Sequence, residues 1–189
     1  MKATFLDVYD KKEVKNIQNN LEEKAGYFNT LCDDIVAKYA GDLDNLMKWV
    51  YSAIIQPDIP AASNTLEKAF LELSNCVYFT YENLEHVGVF DALSKATYKE
   101  VYNDAYTKNI EKDGEKRNKK TVAELTAIAE TESKYESVLN DIYSAAYTII
   151  KNKISAAQTM IATLSKILSK RMQEDNTMGS TRQRLVEEY

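Results

Sequence analysis

TVAELTAIAETESKYESVLNDIYSAAYTIIKNKISAAQTMIATLSKILSKRM, residues 121–172, contains neither glycine nor proline. Its apolar residues Tyr135, Leu139, Ile142, Ala146, Ile150, Ile154, Ala157, Ile161, Leu164 and Leu168 recur at steps of three and four, the period of one helix face. As one helix the stretch would run roughly 78 Å at 1.5 Å per residue, and a helix of that length needs a partner along its stripe. The steps average about 3.67, which fits a straight or slightly right-handed bundle better than a leucine zipper. The expectation is an all-α protein: an elongated helical bundle with one long C-terminal helix, or two nearly collinear ones, packed against helices drawn from residues 11–109.

Working outward, residues 1–110 read as an acidic, tyrosine-rich helical region, 111–120 as a basic turn, 121–173 as the long helix and 174–189 as a tail. Val14, Ile17, Leu21, Tyr27 or Phe28, Leu31, Ile35 and Tyr39 keep helical spacing from about residue 11 to 39, with Gly41 expected to end the helix. A second helix fits 43–55, before QPDIP at 56–60 breaks the chain. A third fits 61–85, capped by Ser63 or Asn64 with Glu67, and interrupted at Gly88. A fourth, 91–109, places Tyr98, Tyr102 and Tyr106 one turn apart. Only five glycines and two prolines occur in 189 residues, too few for the turns of a β-rich fold.

Composition narrows the function. No run of 18 apolar residues is present and the start, MKATFLDVYDKKEVK, lacks a signal-like apolar core, so the expected location is the cytoplasm, with no membrane partner. Cys32 and Cys76 are isolated and His86 is the single histidine, which excludes a CxxC metal or redox pair and a histidine-based triad. No glycine-rich phosphate loop, GxSxG or HExxH occurs. The chain reads as no enzyme, with no cofactor and no metal.

Charge is uneven. Residues 1–107 carry a net −7, residues 108–120 +3, and residues 151–172 hold five basic residues and no acid, in a chain of net −5. At 100° per residue, the apolar stripe centres about 260° from Lys151, while Lys151, Asn152, Ser155, Thr159, Thr163, Lys166, Ser169 and Lys170 occupy the arc from 0° to about 120°. Lysine with hydroxyl and amide groups suits a sugar-phosphate backbone without demand for base sequence. The same face also arises as plain solvated surface, with lysines near a helix C-terminus offsetting the macrodipole.

The segments YNDAYTKN, GEKRNKKTVAELTAIAE and YESVLNDIYSAAYTIIKNKISAAQTMIATLSKILSKR, within residues 102–171, resemble the C-terminal helical region of bacteriophage recombination-mediator proteins of the UvsY type. That resemblance implies a small helical homo-oligomer of phage or prophage source that binds single-stranded DNA and helps load a recombinase. The DNA-binding positions it implies are Lys116, Arg117, Lys119 and Lys120 in the turn, and Lys151, Lys153, Lys166, Lys170 and Arg171 on the helix. Its partners would be single-stranded DNA and a phage recombinase, in the host cytoplasm. The competing expectation is a virion structural component, a portal or neck ring, cargo or scaffold protein, whose basic face meets neighbouring virion proteins.

Overall fold

The computed structural model describes residues 11–114 and 120–187. Four α-helices account for nearly all of them: α1 (Lys11–Val50), α2 (Ser63–Gly114), α3 (Val122–Glu132) and α4 (Lys134–Glu187). No strand occurs among the described residues. The fold is all-α, with a long C-terminal helix.

The helices are longer than the glycines predict. α1 runs through Gly41, and α2 through Gly88. A mid-helix glycine costs about 1 kcal/mol relative to alanine, and the neighbours outweigh it: Val36, Ala40, Leu43 and Val50 are buried on α1. Gly88 serves close approach rather than termination. A Cβ there would lie 3.2 Å from Tyr147 Cε2. α1 ends by widening into a π-turn, Tyr51–Ile55, closed by the Gln56 N–H donating to the Tyr51 carbonyl at 2.9 Å, after which QPDIP breaks the chain as its prolines dictate. At the start of α2, Thr65 and Leu66 N–H groups donate to the Ala62 carbonyl.

The stretch 121–172 forms two helices with one residue between them. Ser133 adopts φ −95°, ψ 13°, and its N–H and hydroxyl both donate to the Ala129 carbonyl, so the backbone stays satisfied across the break. α3 opens on a capping box: the Thr121 hydroxyl accepts from the Glu124 N–H, and the Glu124 carboxylate accepts from the Thr121 N–H at 2.7 Å. α4 continues as helix past residue 173, where a tail was expected, to Glu187.

Two compact units divide the chain, Met1–Ile35 with Ser94–Ala146 and Val36–Leu93 with Tyr147–Tyr189. The division cuts across the sequence segments, because α1, α2 and α4 each contribute to both. In the second unit Leu43, Val50, Leu66, Leu73, Val87, Ile150, Ile154 and Leu164 form the core. Asn83 Nδ2 donates to the Tyr39 carbonyl at 3.0 Å, and Gln158 to the Tyr81 hydroxyl. The first unit buries Cys32, Ala105, Leu125, Ala129, Ile142 and Ala146, with Ser94 and Asn140 side chains meeting at 3.5 Å.

Two details of the expected stripes change. On α1 the buried line is Cys32, Val36, Ala40, Leu43 and Val50, one position beyond the expected Leu31, Ile35 and Tyr39, while Val14, Ile17, Leu21, Tyr27 and Leu31 are exposed. On α4 Tyr135 and Leu139 are exposed, and burial starts at Ile142. Spacing fixes the period of a stripe but not which of two adjacent lines meets a neighbour.

Gly41→Ala should stabilise the protein. No atom lies within 4 Å of the new methyl and the backbone is helical with no positive φ, so the gain is about 0.5–1 kcal/mol, read as a rise of about 1–4 °C in the thermal unfolding midpoint. A lower midpoint would show that the position needs glycine.

Candidate nucleic-acid interface

α4 is rolled about its axis by the burial of Ile150, Ile154, Ala157 and Leu164, each 1 % exposed or less. That roll turns Lys151, Asn152, Ser155, Thr159, Thr163, Lys166, Ser169 and Lys170 outward, and all eight are exposed. The five cations of 151–172 then separate into two groups. Lys151, Lys166 and Lys170 lie within about 0–100° on the helical wheel, whereas Lys153 and Arg171 both fall near 200°, on the flank of the apolar stripe at 260°.

The flank pair is committed inside the fold. Lys153 Nζ donates to both oxygens of the Asp44 carboxylate on α1, at 2.7 Å to Oδ2. Each side chain is about a third exposed, and a pair so wetted contributes about 0.5–1 kcal/mol. Arg171 Nη1 donates to the Ala61 carbonyl at 2.6 Å and lies 3.5 Å from the Ser63 hydroxyl, holding the entry to α2. These two expected DNA contacts are internal ties here.

The outward group keeps its heads in water. Lys170 lies 3.8 Å from Glu174, one turn on, with both side chains more than half exposed, a contact that salt screens readily. The threonines serve the helix more than a ligand: Thr159 Oγ1 donates to the Ser155 carbonyl at 3.0 Å and Thr163 Oγ1 to the Thr159 carbonyl at 2.9 Å. Their hydroxyl protons are taken by this back-bonding, so the row offers lysine charge with fewer hydroxyl donors than its composition implies. In the turn, Lys120 is half-buried, its Nζ donating to Asn109 Oδ1 at 3.3 Å. Lys116, Arg117 and Lys119 lie outside the described residues.

The remaining chemistry is sparse. Among the described residues no group of three or more His, Cys, Asp or Glu side chains is placed to hold a metal ion. His86 is exposed. Burial raises the Cys32 thiol pKa, helped by the Asp33 charge; burial also raises that of Cys76, opposed by its side-chain hydrogen bond with Thr80 and helped by the Asp42 charge. Both thiols are therefore held away from the thiolate form a nucleophile needs. A cleft of about 370 Å³ between α1 and α2 is lined by Lys38, Asp42, Glu72, Cys76, Phe79 and Asn83 among others. No helix among the described residues is long and apolar enough to cross a membrane.

Compared with protein-family models, characterised proteins and solved structures, the chain gives no match.

Proposed function

We propose that the chain is a non-catalytic, phage-type helical protein that binds single-stranded DNA along the outward lysine row of α4 and assists recombinase loading in the host cytoplasm. The observation that carries this reading is the separation on α4 of exposed Lys151, Lys166 and Lys170 from the buried Ile150, Ile154, Ala157 and Leu164. Lysine heads standing in solvent on one side of a helix can neutralise phosphates of a strand laid along it. The recombination part of the reading rests on the resemblance of residues 102–171 to mediator proteins of the UvsY type.

A second reading, a virion structural component acting through contacts with neighbouring virion proteins, is favoured by one observation on α1. From Lys12 to Tyr27 every residue whose side chain is described is exposed. A helical stretch of that length is marginal in water by itself, and Val14, Ile17 and Leu21 make one side of it apolar. In both readings a second copy of the chain covers this line, making the protein a homo-oligomer.

Salt separates the readings. Three lysines on phosphates give a log-log slope of binding against salt of about −2, at about −0.7 per contact on single strands. Lys151→Glu, Lys166→Glu and Lys170→Glu together should leave helix content unchanged, as exposed substitutions usually do, and flatten that slope by about two. A parent protein that does not bind oligo-dT at low salt removes the DNA reading and leaves the structural one. Oligomerisation is read by mass in solution: the parent exceeds one chain at micromolar concentration, and Leu21→Glu returns it to the monomer. A monomeric parent contradicts it.

A further inference from the structure

We infer that the flank of α2 bearing Lys95, Lys99, Tyr102 and Tyr106 is a stacking site for an unpaired base of single-stranded DNA. This inference rests on the nucleic-acid reading above and adds to it a contact with bases rather than phosphates. It lies wholly within the first compact unit.

Three tyrosines stand one turn apart on this helix. Tyr98 and Tyr102 rings are tilted by 51° with centroids 6.2 Å apart, whereas Tyr102 and Tyr106 are nearly parallel, 13° between planes and 6.5 Å between centroids. The nearly parallel faces stand one helical turn apart, an orientation in which a flat base can lie against an aromatic face. All three side chains are half-buried. A partly exposed tyrosine on a helix offers an aromatic face of fixed position, and single-strand binders use such faces because every base has one.

The charges beside the rings have the sign a strand requires. At 100° per residue, Tyr102, Lys95, Tyr106 and Lys99 fall in order within an arc of about 60°, and both lysines are exposed. Glu100 and Asp104 lie on a different side of the helix, about 100° or more from the centre of that arc, and Asp91, one turn before Lys95, lies about 50° from it. The buried residues Ser94, Ala105 and Asn109 occupy the adjoining arc, so packing anchors one side of the tyrosine ladder and leaves the lysine side open. Aromatic faces with cations alongside bind base and phosphate of the same nucleotide together.

The test compares two ligands of equal charge on the parent protein: oligo-dT and an abasic deoxyribose-phosphate oligomer of the same length. Stacking predicts that the abasic oligomer binds about tenfold more weakly at the same salt slope. Tyr102→Phe with Tyr106→Phe should keep the preference for oligo-dT, because the ring and not the hydroxyl stacks, while Tyr102→Ala with Tyr106→Ala should abolish it. Equal binding of the two oligomers by the parent overturns the stacking site and leaves the lysine row standing. Binding of neither removes both. Loss of the preference in the phenylalanine variant assigns it to the hydroxyls and also overturns the proposal. Should the alanine variant unfold, Tyr102→Leu with Tyr106→Leu, which keeps apolar bulk without a ring, takes its place, and a preference for oligo-dT retained in it overturns the proposal.

Discussion

Burial of Ile150, Ile154, Ala157 and Leu164 is the constraint on which the rest of α4 depends. An isoleucine or leucine side chain fully removed from water contributes about 1.5–3 kcal/mol, so the three larger residues outweigh the ion pair of Lys153 with Asp44 by several-fold. Apolar packing therefore sets the roll of the helix, and the roll assigns a role to every cation on it. Lys153 and Arg171, on the flank of the buried line, reach Asp44 and the start of α2. Lys151, Lys166 and Lys170, on the far side, are exposed, and Lys170 stands near the weakly held Glu174.

This division explains how an acidic chain keeps a cationic line. The acidic surplus lies in residues 1–107, and among the described residues only Asp44 from that region is recorded in an ion pair with the cations of 151–172. The lysine row on α4 and the tyrosine flank on α2 belong to different compact units. Both present charges or rings on one side of a helix, and the proposed ligand is one recognised for being a strand rather than for its sequence.

Much of the fold was legible in the sequence, and the failures have physical causes. The absence of glycine and proline from residues 121–172 gave the class. The resemblance groups the five cations of 151–172 as one set of DNA contacts, although Lys153 and Arg171 fall near 200° on the wheel, apart from the other three. The TVAE signature at 121–124 was also there to be read as the capping box that opens α3. Gly41 and Gly88 misled, because helix propensity is a weak prior that burial of Ala40, Leu43, Leu84 and Val87 overrides. Asp44 could not be found from sequence as the partner of Lys153, since 109 residues separate them and only the packing of α1 on α4 brings them together. The shift of the α1 stripe to Cys32, Val36 and Ala40 has the same origin: the period is local, and the choice of face is tertiary.

The account is tested most directly by lysine footprinting, in which solvent-accessible amines are acylated and quantified by mass spectrometry with and without oligo-dT. It predicts fast labelling of Lys151, Lys166 and Lys170 and slow labelling of Lys153 in the free protein, with oligo-dT protecting the first three and leaving Lys153 unchanged. Labelling of Lys153 as fast as Lys151, or an outward row that oligo-dT leaves unprotected, would contradict it.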